Sequence, residues 1–321
     1  MEKEENIMIK ITLKDGSIKE VEKGISVIEL AKKISEGLAR VATVAEINGE
    51  IKDLRYCLQE DASVNILTFD SDLNGKKAYW HTTSHIMAQA VKRLFPEVKL
   101  AIGPSIDEGF YYDFDVEKPF TDEDKASIEE EMKKIIKEDL PIQKFSLQRE
   151  EAIALMKKKE EPYKVELIED LPEGEEISFY SQGEFTDLCA GPHLESTGKV
   201  KAVKILSSSS AYWRGSEKNK MLQRIYAISF PKASSLEEHL KLLEEARQRD
   251  HRKIGKELDL FMTHQLVGSG LPMYLPKGAT IRRILERYIQ DKEVKMGYNH
   301  VYTPSLANVE LYKTSRALGP L

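Results

Sequence analysis

Cysteine is scarce, with Cys57 and Cys189 the only two in 321 residues. That is too few for a disulfide-built scaffold and fits a reducing compartment, so a cytoplasmic protein is expected. Long apolar runs are missing too. No stretch approaches the ~20 consecutive apolar residues of a membrane helix. Met1 to Asn6 is charged and lacks the apolar run of a signal peptide, so no membrane partner is expected. No G-x-x-x-x-G-K-[ST] occurs, which excludes a P-loop nucleotide site. Positive charge is not in excess: Lys and Arg number 48 against 54 Asp and Glu, for a formal net charge of -6. The chain is therefore no polycation, and any nucleic-acid contact requires basic residues gathered on one face. Internal repeats and low-complexity tracts are absent.

What is present is the balance of a globular protein with a real core, 41% hydrophobic and 32% charged. The length suits two or three domains. Residues 7–69 read as a small module. Ile7 to Leu13 is strand-like, Asp15-Gly16 and Asn48-Gly49 are hairpin turns, and Ser26 with Glu29 makes a capping box ahead of a helix. Val64 to Leu67 closes it as a strand. Hairpin, helix and further strands in so short a span predict a ubiquitin-like β-grasp. Residues 70–232 read as an α+β stretch. Helices are expected from about Lys77 to Leu94 and from Asp122 to Glu138, the second capped by Thr121 or Asp122. Strands are expected at Lys201–Leu206 and Gln223–Ile228, with Ser207 to Ser210 and Gly215 as a loop between them. Residues 233–256 predict one long helix with Ser235 and Glu238 as its capping box. Gly268-Ser-Gly270 and Pro272 mark a loop, and a helix from about Ala279 to Met296 ends at Gly297.

Two fragments carry chemistry. In His81-Thr-Thr-Ser-His85 the histidines stand one helical turn apart on one face. That spacing suits two ligands of one metal or two imidazoles around one substrate, and equally an ordinary histidine pair. In Asp187-Leu-Cys-Ala-Gly-Pro-His193 a thiol and an imidazole flank a Gly-Pro turn. Three His and one Cys make a plausible zinc set; the bland alternative makes Cys189 a small buried hydrophobe. Basic runs stand at Lys199–Lys204 and Arg247–Lys253, each readable as a solvated face.

The pair His81-x-x-x-His85 and Cys189-x-x-x-His193 resembles the editing domain shared by threonyl- and alanyl-tRNA synthetases. Alanyl enzymes usually carry Cys-Gly-Gly-Thr-His at the second motif, whereas Cys189-Ala-Gly-Pro-His193 is of the threonyl type. Ile102-Gly-Pro104, Gly109-Phe-Tyr-Tyr-Asp113, Pro162-Tyr-Lys164, Ala211-Tyr-Trp-Arg-Gly215, Asn219 to Tyr226 and Arg249 to Lys256 agree. The first 69 residues resemble a TGS domain. From Leu258 onward, Leu271 to Gly278 and Gly297 to Pro304 resemble the start of a class II synthetase domain, and Arg316 to Leu321 departs from the family pattern.

The resemblance implies an α+β multidomain protein: a TGS β-grasp domain (1–69), a tRNA editing domain (70–232), a linker helix (233–257) and a truncated class II antiparallel-sheet domain (258–321). It implies hydrolysis of seryl-tRNA(Thr), because one methyl(ene) gives a synthetic site only about 1–3 kcal/mol of discrimination. Catalytic residues are expected at His81, His85, Lys164, Asp187, Cys189 and His193. His81 and Lys164 would position or activate water, Asp187 would hold the serine ammonium or orient an imidazole, and Cys189 and His193 would bound the pocket. Tyr112, Tyr180 and Gly103 would contact substrate. Tyr212, Trp213 and Arg214 would contact tRNA by stacking and charge, or else be core residues of the strand pair. No cofactor is expected for editing, with zinc on His81, His85, Cys189 and His193 the alternative. The ATP, magnesium and catalytic zinc sites of the full-length family are expected to be absent, and with them threonine activation. A homodimer through the segment near Pro304 is expected. The competing functions are a freestanding trans-editing hydrolase and a non-enzymatic TGS-type RNA-binding module.

Overall fold

Strand alternation sets the first element. Along β1 (Met8–Leu13) Ile9 and Ile11 are buried while Met8, Lys10 and Thr12 face out. A computed structural model describes residues 7–268 and 270–314. β1 turns at Asp15-Gly16 into β2 (Ile18–Glu22), and α1 (Val27–Ile34) follows. Ser26 Oγ accepts from the Glu29 N–H and the Glu29 carboxylate accepts from the Ser26 N–H, so the expected capping box forms. α2 (Glu36–Val41), β3 (Ala42–Ile47), β4 (Glu50–Lys52) and β5 (Ala62–Thr68) complete the module. Asn48 and Gly49, both at positive φ, make the β3–β4 turn. The sheet order is β2-β1-β5-β3-β4, with β1 and β5 parallel and the other neighbours antiparallel. Val27 and Leu30 of α1 pack onto Ile11, Ala45 and Val64, which is the expected β-grasp.

α3 (Leu73–Leu94) opens the second part. It starts earlier than expected because Asp72 accepts from the Asn74 N–H and caps it. From Tyr79 to Val91 it is buried nearly all round, the mark of a helix at the centre of a domain. Three short strands, β6 (Lys99–Leu100), β7 (Ser105–Ile106) and β8 (Gly109–Asp115), lead to α4 (Asp122–Glu138). The α4 boundaries match the expectation, with Thr121 and Asp124 as a reciprocal cap and Ile128, Met132 and Ile135 turned inward. β9 (Ile142–Leu147), α5 (Arg149–Lys158), α6 (Pro162–Asp170), β10 (Ile177–Gln182) and β11 (Phe185–Leu188) follow. Pro162 opens α6, where a missing N–H costs nothing. β9, β10 and β11 form an antiparallel sheet ordered β11-β10-β9. The larger sheet runs β12-β13-β8-β6, with β7 paired to β8, where β12 is Ala202–Tyr212 and β13 is Met221–Phe230.

The structure corrects three expectations. Ser207 to Ser210 are strand, not loop: after a bulge between Ile205 and Ser207 they pair residue for residue with Tyr226 to Gln223. Serine has little β-preference of its own, and the ladder overrides it. The long helix breaks in two, α7 (Ala233–Gln248) and α8 (His251–Glu257), because Asp250 accepts from the Arg252 N–H and starts a new helix. Ser235 lies inside α7 rather than at its cap. The basic run there meets acids locally, Arg249 with Glu245 and Arg252 with Asp250.

By its contacts the chain divides into Met1–Leu240 and Lys241–Leu321. The second unit holds α8, an antiparallel pair of β14 (Phe261–Met262) and β15 (Met273–Tyr274), α9 (Pro276–Lys295) and α10 (Val309–Thr314). α9 is followed by Gly297 at positive φ, as expected. The segment around Pro304 is neither helix nor strand. The expected departure at Arg316 to Leu321 and the charged Met1 to Asn6 lie outside the described residues. Among the described residues, no helix is long and apolar enough to cross a membrane.

The α4 packing yields a test. Thr121→Ala should cost about 1 kcal/mol by removing the cap. Met132→Ala should cost about 2–5 kcal/mol by opening a void at a fully buried position. Urea midpoints of the two variants should fall in that order, and equal midpoints would contradict the packing described.

Candidate active site

Two imidazoles on α3 begin the site. His81 and His85 project from one face with ring centroids 5.2 Å apart. The segment after β11 folds Cys189 and His193 back against them. Cys189 Sγ lies 3.3 Å from His81 Nε2 and 3.2 Å from His193 Nε2. The His193 ring is central, 4.4 Å from His81, 4.3 Å from His85 and 4.4 Å from the Tyr180 ring. Gly191 makes this return possible. Its φ is +76, and a Cβ there would sit 2.1 Å from the Tyr180 hydroxyl oxygen. The Gly191–Pro192 peptide is cis, and the Gly191 N–H donates to Cys189 Sγ at 3.2 Å.

Beneath the imidazoles lies a buried ionic floor. Lys164, from α6, places Nζ 2.6 Å from Asp187 Oδ1, and Tyr112, from β8, donates its hydroxyl to Asp187 Oδ2 at 2.6 Å. Lys164 Nζ also donates to the Tyr112 hydroxyl at 3.2 Å. His85 Nε2 stands 3.8 Å from Asp187 Oδ2. Lys164, Asp187 and Tyr112 are each at most 3% exposed. Gly103 accepts at its carbonyl from the Ser84 hydroxyl at 2.6 Å. It allows Tyr112 its place, since a Cβ would lie 2.1 Å from the Tyr112 ring.

Burial sets the charge states. Desolvation depresses His81 to about 4 and His85 to about 3, against partial compensation from Asp187. His193 falls well below its ordinary value for the same reason, reinforced by the other two imidazoles. Cys189 is pushed up to about 12, again by burial. Burial would raise the Asp187 carboxyl, but Lys164, His85 and the Tyr112 hydroxyl outweigh it and hold Asp187 below the usual carboxylate range. At neutral pH the site is therefore three uncharged imidazoles and a thiol above a fixed ion pair. His81 and Cys189 keep partial exposure, while His85 and His193 are buried.

Some of the supporting residues carry no motif of their own. Thr82 Oγ1 donates to the Ala78 carbonyl, accepts from the Leu194 N–H, and stands 3.3 Å from His193 Nδ1. With its single proton on Ala78, Thr82 can only accept from His193, which assigns the proton to Nδ1 and leaves Nε2 facing Cys189. Thr82 lies within His81-Thr-Thr-Ser-His85, and its place beside His81 was the available signal. Asp53 and Arg55 of the β-grasp module also reach this segment, and no sequence feature pointed to them.

The Tyr212-Trp213-Arg214 expectation divides. Trp213 is a core residue, packed with Tyr163, Ala101 and Leu222, and its indole N–H is held by Glu166. That rules it out as an exposed stacking platform. Arg214 pairs with Glu166 and Asp170 and lies against the Trp213 ring. Tyr212 is exposed, and so is Arg214 despite its pairing.

The donor atoms of His81, His85, Cys189 and His193 all lie within 4.8 Å of one another, so this cluster could hold a metal ion. Three imidazoles and a thiol are a donor set that zinc accepts.

Residues 9–68 match the TGS domain family, and residues 177–226 match the threonyl and alanyl tRNA synthetase second additional domain. The chain is 61% identical over 308 residues to a threonine--tRNA ligase of Acetivibrio thermocellus, covering 96% of this chain and 48% of that protein. It is 62% identical over 305 residues to a threonine--tRNA ligase of Caldanaerobacter subterraneus, covering 95% and 47%. A third, from Clostridium tetani, is 60% identical over 308 residues. The chain thus spans about half the length of the curated relatives it matches. Along nearly all of its own length, with a TGS domain and a second additional domain in place, it belongs to the threonyl-tRNA synthetase family.

Proposed function

We propose that this chain hydrolyses the ester of serine mischarged onto tRNA(Thr). The observation that carries the reading is the convergence of His81, His85, Cys189 and His193 into one cluster above the Lys164–Asp187 pair. The expected domain bounds near residues 69, 232 and 257 belong to the same proposal, as does a homodimer through the segment near Pro304.

In the reaction, water adds to the acyl carbon, the carbonyl oxygen takes up negative charge, and the carbon–oxygen bond to the ribose breaks with a proton delivered to the ribose oxygen. His81, uncharged and partly exposed, holds the water. Lys164 is committed to Asp187 and Tyr112, so it acts as a fixed positive charge under the pocket rather than as a proton acceptor. Both Asp187 oxygens are engaged, Oδ1 by Lys164 and Oδ2 by Tyr112. Asp187 is thereby better placed to orient His85 than to capture the serine ammonium. Cys189 and His193, held together at 3.2 Å, form the wall against which a threonine methyl would press. The neighbouring ribose hydroxyl and ordered water carry the proton. Zinc on the four donors would supply Lewis-acid polarisation; we favour hydrolysis without a metal.

Three tests follow from this site. Seryl-tRNA should be deacylated much faster than threonyl-tRNA, and His81→Ala, Lys164→Ala and His193→Ala should each lose about 10²-fold or more in rate. Near-wild-type rates in all three would remove the site. Elemental analysis should find zinc well below one equivalent, and EDTA should leave the rate unchanged; stoichiometric zinc would reverse the metal assignment.

The pH dependence has a definite sign. Folded His81 and His85 titrate near 4 and 3 rather than 6.5, so between those values and 6.5 the unfolded chain binds more protons. Stability should fall as pH drops from about 6.5 toward 3, while the imidazoles stay uncharged and the rate holds to about pH 5. Cys189 is raised from 9 to about 12, so its contribution is complete below pH 9 and lost as pH rises toward 12. Melting curves across pH 4 to 11 check both limbs.

A further inference from the structure

The β-grasp module sends one short segment, just past β4, into the wall of the hydrolytic site. Asp53 Oδ1 accepts from the His193 backbone N–H at 2.7 Å, and Asp53 Oδ2 accepts from the Tyr180 hydroxyl at 2.6 Å. Arg55 donates from Nη1 to the Leu194 carbonyl at 2.8 Å and from Nη2 to the His193 carbonyl at 3.3 Å. The two side chains also pair with each other at 3.2 Å. Both are largely buried, with side-chain exposures of 11% for Asp53 and 26% for Arg55.

These contacts converge on one residue. The backbone of His193 is gripped at its N–H by Asp53 and at its carbonyl by Arg55. Tyr180, whose ring lies 4.4 Å from the His193 imidazole, is fixed by the same carboxylate. Tyr180 in turn fills the space that Gly191 leaves open. On the other side Thr82 takes the His193 Nδ1 proton and the Leu194 N–H. Nothing else among the described hydrogen bonds ties the His193 main chain down.

We propose that Asp53, braced by Arg55, is a positioning residue for the editing reaction. The β-grasp module then does more than adjoin the editing site: it sets the orientation of the His193 imidazole and the Tyr180 ring over the substrate pocket. This rests on the hydrolytic reading above. Asp53 touches no reacting atom. It acts through His193 and Tyr180, so its loss changes geometry at the bond being broken more than affinity for the rest of the tRNA. A misplacement on the order of 1 Å at such a site costs about 10²-fold in rate.

The test uses the full chain with seryl-tRNA and four variants: Asp53→Ala, Asp53→Asn, Arg55→Ala and Tyr180→Phe. Asp53→Ala should lower kcat about 10- to 100-fold with KM within about twofold. Asp53→Asn keeps an acceptor oxygen and should recover much of that loss. Asp61→Ala, on the same module but bonded only to the Lys10 N–H, should match wild type. A folded Asp53→Ala with wild-type kcat overturns the proposal, and so does a loss carried by KM alone. If Asp53→Ala does not fold, Arg55→Ala decides: a kcat loss with KM little changed supports the proposal, and wild-type kcat overturns it. If the wild-type chain hydrolyses nothing, the functional reading fails by itself. The imidazole ¹⁵N resonances of His193 then test the clamp, and their identity in wild type and Arg55→Ala overturns it.

Discussion

The ion pair of Lys164 with Asp187 is the constraint on which the site is built. Taking either charge into the interior alone is prohibitive, and the pair is tolerated because the remaining lone pair on Asp187 is filled by Tyr112. Three elements must meet for this to happen: α6 for the lysine, β8 for the tyrosine and β11 for the aspartate. The pair therefore works as a registry device. A slip of β11 by one residue would turn Asp187 to the opposite face and leave Lys164 buried without its carboxylate. It would also move Cys189, two residues on, out of reach of His81.

The imidazoles above depend on that floor in the opposite sense. Desolvation keeps His81, His85 and His193 uncharged, and an uncharged imidazole is the form able to accept a proton or hold a water through its lone pair. The fixed positive charge comes from Lys164 instead, buried below them. Charge and hydrogen-bond acceptor are thus divided between two layers, the cation of Lys164 below and neutral imidazoles above. A site that relied on protonated histidine would lose function as pH rose. This one is limited at the acid end, where its imidazoles begin to charge.

Much of this was legible in the sequence because it rests on short spacing. A four-residue interval on a helix puts His81 over His85 regardless of context, and Thr121, Ser26 and Asn48-Gly49 act through neighbours one to three residues away. The errors came where a distant partner decided. Ser207 to Ser210 look like a loop until β13 supplies a ladder. Trp213 reads equally as a base-stacking platform or a core residue, and Tyr163 and Glu166, arriving from α6, decide for the core. The break at Asp250 is the local exception: a single capping side chain divided a stretch whose apolar spacing continued through it.

Asp53 marks the limit of what spacing can carry. It lies in another module, 140 residues from His193 in the chain, and nothing around it resembles a motif. Yet a β-grasp sheet makes its position definite. β4 is the edge strand of the sheet, ordered β2-β1-β5-β3-β4, so the turn leaving it is free to project toward a neighbour. The backbone N–H of His193 has no ladder partner of its own, because a Gly-Pro turn precedes it and no strand follows. A buried donor of that kind requires an acceptor, and the carboxylate on the β4 edge is what the fold provides. The contact of the β-grasp module with the His/Cys cluster is thus a consequence of satisfying one main-chain hydrogen bond.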